Sequence, residues 1–211
     1  MLLVVCATAL ETGAVLDAIR APRERFAIGP YDAESAGSVT TMVCGIGPAA
    51  AAAATAVALT LGPYDAVVNV GIAGGFGIPL GSLVVADPIV PADVGVVDDG
   101  WQSYAAPLPT GAADLAAVLG ARRGPVLTVS TITSTDEQAA TLLARFPGAL
   151  AEAMEGYGCA CAAAAFDIPC HELRAVSNAV GLRDRPSWEV ASALGALTGA
   201  MPKLIEELEQ R

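Results

Sequence analysis

Three polar side chains stand at places in this chain where chemistry could be done. Glu11 lies a few residues past the first apolar run. Glu155 sits in Ala153-Met154-Glu155-Gly156, at the head of an alanine-rich segment. Asn178 closes Val176-Ser177-Asn178, where another apolar run ends. Two carboxylates and an amide gathered in one pocket have a definite competence. A carboxylate can activate water as a general base, and carboxylates stabilise a cation-like transition state. An amide both donates and accepts hydrogen bonds, so it can read a polar ring. Singly, each residue also has a plain structural reading. Glu11 and Glu155 could be helix-end charges and Asn178 a turn residue. A charge beside Met154 and an alanine run nevertheless needs a partner once it is buried.

The elements that must position these groups are legible in the apolar pattern. Leu2 to Ala7 reads as a buried strand, and Thr8 or Thr12 is placed to cap a helix running to about Arg20. Val39 to Cys44 is a second strand. It ends in Gly45-Ile46-Gly47-Pro48, and Ala49 to Leu61 reads as helix, with Pro48 suited to a first turn. Ala66 to Val70 is a continuous apolar strand of the kind buried on both faces, followed by a glycine turn at Gly71-Ile72-Ala73-Gly74-Gly75. Leu83 to Val90 and Gly124 to Thr131 are further strands. Asp93 to Pro109, with Asp98, Asp99, Trp101 and Tyr104, reads as a long surface loop. Asp114 to Leu119 is a short helix. Thr135 and Gln138 have capping-box spacing for a helix to about Phe146. Glu152 to Phe166 reads as helix, Pro169 to Val176 as strand, and Ser187 to Glu209 as a helix with a break near Gly199 and Pro202. Strands alternating with helices predict an α/β fold with a central sheet, in one domain over residues 1–211. Ligands bind beyond the carboxyl ends of strands in such sheets, which is where Glu11, Gly71 to Gly75, Ser130 to Thr133 and Asn178 fall.

Composition narrows the function. Of 211 residues 54% are hydrophobic, enough for a sizeable core. The net charge of −11 argues against nucleic-acid polymers, where cationic side chains must replace counterions. No run reaches the ~18 apolar residues that span a membrane, and Met1 to Leu10 lacks the basic start of a signal peptide. Five cysteines are read as reduced thiols in a cytoplasmic protein. Cys159 and Cys161 point to different helix faces, and nothing completes a metal set around Cys170-His171, so no metal is expected. Gly45-Ile46-Gly47-Pro48-Ala49-Ala50 has the G-x-G-x-x-A spacing of a nicotinamide-binding turn. It lacks an acidic residue after the following strand, and a tight strand-to-helix turn is its default reading. No cofactor is expected.

Taken in order, the motifs resemble the nucleoside phosphorylase and methylthioadenosine nucleosidase superfamily. The resemblance rests on Glu11, Cys44-Gly45-Ile46-Gly47, Val70-Gly71-Ile72-Ala73-Gly74-Gly75, Met154-Glu155-Gly156 and Arg174-Ala175-Val176-Ser177-Asn178, and it spans nearly the whole chain. Asn178, Arg183-Asp184 and Trp188 look most like the futalosine-hydrolysing branch. The resemblance implies a mixed central sheet flanked by helices. It also implies hydrolysis of a nucleoside N-glycosidic bond in menaquinone synthesis, a small-molecule nucleoside as partner, and a homodimer or higher homo-oligomer. Glu11 would activate the attacking water, Glu155 would bind the ribose hydroxyls, and Met154 would pack under the sugar. Asn178 stands where methylthioadenosine nucleosidases carry an Asp, which moves the expected base from adenine to hypoxanthine. Ile72, Ala73, Gly74, Thr131, Ile132, Thr133 and Trp188 complete the expected substrate contacts. Trp101 is a second candidate to cover the benzoate arm of the substrate, and Arg183 or Arg185 could meet its carboxylate. Related phosphorylases carry Arg just before the glycine run, where Asn69 stands here, so water is expected as nucleophile. A phosphate-dependent phosphorylase, a methylthioadenosine-type nucleosidase, a nicotinamide-binding oxidoreductase and a non-catalytic nucleoside binder remain the alternatives.

Overall fold

Alternate residues of the first strand belong to two different cores, and the fold is built around that division. In the computed structural model, which describes residues 1–97, 100–110 and 113–210, β1 (Leu2–Cys6) turns Leu2 and Val4 to one face and Leu3 and Val5 to the other. All are buried, because helices cover both faces of a sheet whose side chains alternate sides. On the first face, α1 (Ala9–Leu16), α3 (Ala113–Leu119) and α6 (Val190–Glu209) bring Val15, Leu115, Leu197, Met201 and Leu204. On the second, α2 (Pro48–Leu61) and α5 (Gly156–Ala165) bring Ala51, Ala54, Ala58, Cys159 and Ala163. The alanines let these two helices lie close together. At Gly158 a Cβ would collide with the Pro48 carbonyl.

The remaining strands are β2 (Arg23–Ile28), β3 (Tyr31–Ala36), β4 (Val39–Val43), β5 (Ala66–Gly75), β6 (Leu83–Pro91), β9 (Arg122–Thr128), β10 (Ala151–Ala153) and β11 (Cys170–Ala179). They form one mixed sheet in the order β10-β9-β6-β11-β5-β1-β4-β3-β2. A small hairpin, β7 (Gly95–Val97) with β8 (Trp101–Ser103), stands apart from it, and α4 (Asp136–Arg145) precedes β10. β10 also pairs antiparallel with β5, which closes β5, β11, β6, β9 and β10 into a ring. β5 can serve three neighbours because it is long. One edge pairs with β1 through Ala66 to Asn69 and with β10 through Gly74 and Gly75, while the other runs along β11.

Several expectations are corrected here. Gly71 to Gly75 is not a turn but the second half of β5. Its glycines admit neighbours: a Cβ on Gly71 would lie 2.5 Å from both Arg174 Nη1 and Glu11 Oε1. Glu152 begins no helix; it is in β10, and α5 starts after Glu155. β11 continues three residues past Val176, with a bulge between Val176 and Asn178. The expected long loop holds the β7–β8 hairpin, while Asp98 and Asp99 lie outside the described residues. α1 ends at Leu16, short of Arg20, and α6 runs through Gly199 and Pro202 without a break. Among the described residues no helix is long and apolar enough to cross a membrane.

Candidate active site

Thr8-x-x-Glu11 is a capping box, and it fixes the first carboxylate. The Thr8 N–H and hydroxyl donate to Glu11 Oε2 at 3.0 and 2.9 Å, and the Glu11 N–H donates to Thr8 Oγ1 at 3.4 Å. Glu11 Oε1 accepts the Ile72 N–H at 3.0 Å, so one side chain ties the start of α1 to the middle of β5. It is 5% exposed.

Glu155 is held as firmly from another direction. It is the N-cap residue of α5, and its Oε1 accepts the Gly47 N–H at 3.1 Å. Its Oε2 lies 3.4 Å from Arg174 Nη2. Arg174 is 1% exposed, and its Nε donates to Glu172 Oε1 at 2.8 Å. Its Nη2 donates to Asn69 Oδ1, and Asn69 Nδ2 donates to the Val5 carbonyl at 2.9 Å. Burial works against the Arg174 charge, yet Glu172, Glu155 and Glu11 around it hold its pKa above the ordinary value. Burial pushes the Glu172 carboxyl up, while Arg174 opposes that shift. Gly156 must be glycine, since a Cβ there would collide with the Glu172 carboxylate.

Asn178 is half-buried, just past the β11 bulge, which turns Ser177 and Asn178 together toward the same cavity. The Ser177 hydroxyl donates to Asn178 Oδ1 at 2.8 Å, and Asn178 Nδ2 donates to the Ala179 carbonyl at 3.0 Å. One amide N–H therefore remains for a ligand. Glu152, 6% exposed, accepts the Thr133 N–H at 2.8 Å and also the Thr133 hydroxyl. Burial raises its carboxyl above the usual range, against the pull of those two bonds.

These groups converge on a cavity of about 310 Å³. Of the residues singled out in the sequence, Glu11, Glu155, Asn178, Met154, Ile72, Ala73, Gly74, Ile132, Thr133 and Trp188 line it. Thr131 does not; it lines a neighbouring cleft together with Trp101 and Arg145. There Trp101 meets Phe146 edge-on at 6.2 Å, with Arg145 over its ring at 4.9 Å, so its ring is already engaged. Trp188 is the tryptophan at the cavity, and the guanidinium of Arg183 lies 5.9 Å from its ring. Arg183 lines the cavity and Arg185 does not. The Gly47 amide, which a pyrophosphate would need, is occupied by Glu155.

Sequence reasoning gave no functional role to Glu152 or Glu172, and it offered Thr8 as a helix cap without linking it to Glu11. Thr8-x-x-Glu11 was a readable signal for that link. Glu152 and Glu172 carry none, because their burial arises only once β10 and β11 are folded. Among the described residues, no group of three or more His, Cys, Asp or Glu could hold a metal ion.

Comparison with known proteins bears on the family. A family model described as the phosphorylase superfamily matches residues 2–208. A futalosine hydrolase of Streptomyces coelicolor is 51% identical over 188 residues, covering 80% of this chain and 79% of the relative. One of Acidothermus cellulolyticus is 40% identical over 96% of this chain and 89% of the relative. Among solved structures, the futalosine hydrolase of Helicobacter pylori superposes with a TM-score of 0.86, covering 98% of this chain and 97% of that one at 17% identity. A 5'-methylthioadenosine/S-adenosylhomocysteine nucleosidase from S. pneumoniae gives the same score, covering 98% and 99% at 20% identity. At those identities the two structures establish the shared fold.

Proposed function

The chain belongs to the phosphorylase superfamily, and from that premise we propose that it hydrolyses the N-glycosidic bond of futalosine, releasing hypoxanthine and the dehypoxanthinylated sugar. By the resemblance, this is a step of menaquinone synthesis.

The observation that carries the choice of water over phosphate is the charge of the cavity. Glu11, Glu152 and Glu155 line it, and among its lining residues Arg183, at the exposed rim, is the one Lys or Arg. A phosphate nucleophile wants Arg forks and backbone donors, and a ring of carboxylates repels it. Asn69, at the position where related phosphorylases carry Arg, is buried and committed to Arg174 and Val5.

In this reading Glu11, held by three donors from Thr8 and Ile72, uses its remaining lone pair to orient the attacking water and take its proton. Glu155 accepts from the ribose hydroxyls, and Met154 packs under the sugar. The sugar becomes cation-like as the bond to the base breaks, and the two carboxylates stabilise that charge. The free N–H of Asn178 meets the charge that develops on the departing 6-oxopurine. Trp188 covers the apolar arm of the substrate, and Arg183 beside it meets the terminal carboxylate. Five free cysteines, three of them buried, fit a cytoplasmic setting. Association into a homo-oligomer is supported by the apolar rim, where Leu10 is 69% and Ile46 65% exposed.

Incubating the purified protein with futalosine in phosphate-free buffer is expected to release hypoxanthine. No release, together with cleavage of inosine only when phosphate is added, would favour a phosphorylase instead.

A further inference from the structure

The mechanism above uses Glu11 and Glu155 and leaves a third carboxylate of the cavity, Glu152, without a task. Its place in the sheet is specific. Glu152 on β10 and Asn178 on β11 are both register partners of Gly74 on β5. Strands lie about 4.8 Å apart, so the two residues stand roughly 10 Å from each other with a glycine between them. Register partners across a sheet project to the same face, and all three residues line the cavity. Gly74 brings no side chain, so the floor between carboxylate and amide is open. A Cβ at Gly74 would lie 2.8 Å from Val180 Cγ2 and 3.3 Å from Asn178 Nδ2.

Glu152 also has bonding capacity left. A carboxylate offers about four lone-pair sites, and Thr133 occupies two of them, one on each oxygen. A ring that lies over Gly74 and bonds on both sides must then present one acceptor to the Asn178 N–H and one N–H to Glu152. The lactam face of a 6-oxopurine has that pattern in O6 and N1–H. The corresponding face of adenine is reversed, with an amino donor and an unprotonated N1, so it would set a lone pair against the carboxylate.

Resting on the hypoxanthine reading above, we propose that Glu152 is a specificity-determining residue, accepting a hydrogen bond from N1–H of the base while Asn178 donates to its oxygen. Thr133 is the positioning residue that holds the carboxylate there. Burial raises the Glu152 carboxyl, and the two Thr133 donors pull against that shift.

The experiment measures binding of hypoxanthine, 1-methylhypoxanthine and adenine by calorimetry, to the unmodified protein and to Glu152→Gln, beside futalosine turnover by the unmodified protein. The unmodified protein is expected to bind hypoxanthine about 10- to 100-fold more tightly than 1-methylhypoxanthine, the range set by one hydrogen bond to a charged group. In Glu152→Gln hypoxanthine should weaken by a similar factor, whereas adenine should hold or gain, because the new amide can donate to N1. A uniform loss for all three bases in the variant would reduce Glu152 to a structural support and overturn the proposal. So would equal binding of the two hypoxanthines by the unmodified protein, which decides the matter even if the variant does not fold. Turnover separates this inference from the one it rests on. Futalosine cleavage without N1 discrimination removes the role of Glu152 alone. N1 discrimination without futalosine cleavage keeps that role and removes the substrate.

Discussion

The two ends of the cavity are built on opposite terms. At the sugar end, every carboxylate oxygen is engaged, those of Glu11 by Thr8 and Ile72 and those of Glu155 by Gly47 and Arg174, and behind them lies the buried set of Arg174, Glu172 and Asn69. At the base end, Asn178 is anchored by the adjacent Ser177 and Ala179 and Glu152 by Thr133 alone, and both keep spare bonding capacity facing the cavity. Groups that must stabilise charge at one fixed point gain from rigid pre-organisation. Groups that tell one base from another need only present the right polarity, and a wrong partner leaves them unsatisfied. The sugar end should therefore fail in rate and stability when disturbed, and the base end in preference.

The largest expected effect falls on the sugar end. Glu11→Gln should lower turnover about 10²- to 10⁴-fold, the range for removing a general base. The fold should persist, since Gln also serves a capping box, and circular dichroism would check that. Activity within a few-fold of the unmodified protein would strip Glu11 of its assigned role. Next, Arg174→Met should cost about 3–5 kcal/mol in urea unfolding, because it strands Glu172 and Glu155 without their counter-charge. A loss below about 1 kcal/mol would show that the sugar end is not held by this network.

At the base end, Asn178→Asp should leave stability nearly unchanged and raise the ratio of kcat/KM for adenine over hypoxanthine nucleosides about tenfold, the scale of one hydrogen bond. An unchanged ratio would dissolve the contrast between the two ends. The smallest effect is a pH trend. The native pKa of Glu152 is raised by burial, so the folded state binds its proton more tightly than the unfolded chain. Its stabilising contribution is present below the unfolded pKa of about 4.3 and is lost as pH rises through the native value. Glu152→Gln has no such loss. Its Tm relative to the unmodified protein should therefore climb between pH 4 and pH 7, and a flat difference would contradict the shift.

How much of this was legible in the sequence also divides by region. The apolar strands Leu2 to Ala7 and Ala66 to Val70 and the alanine helices were readable, because burial on both faces leaves an unbroken apolar run. The Arg23 to Ala36 hairpin was not. β2 is exposed at five of its six positions, and its charged sequence carries no alternation. Glu11, Glu155 and Asn178 were found by position at element ends and by family pattern. Gly71 to Gly75 misled, because glycines that signal a turn also signal close approach, and only the packed Arg174 and Glu11 side chains distinguish the two. Glu152 was hidden for a related reason. Three residues of strand before an alanine helix look like the start of that helix, and its partner across the ring, Gly74, is 78 positions away in the chain.

The bond from the Ile72 amide to Glu11 has a practical consequence. On that edge of β5, pairing with β1 stops at Asn69 and pairing with β10 starts at Gly74, so the Ile72 N–H falls in the gap and is taken by the carboxylate. Solvent exchange of this single amide then measures how often Glu11 leaves its seat. Deuterium uptake at Ile72 would give a readout of active-site assembly in protein that has never met a substrate. It would also register fraying of the first turn of α1 at temperatures where the β-sheet is still intact.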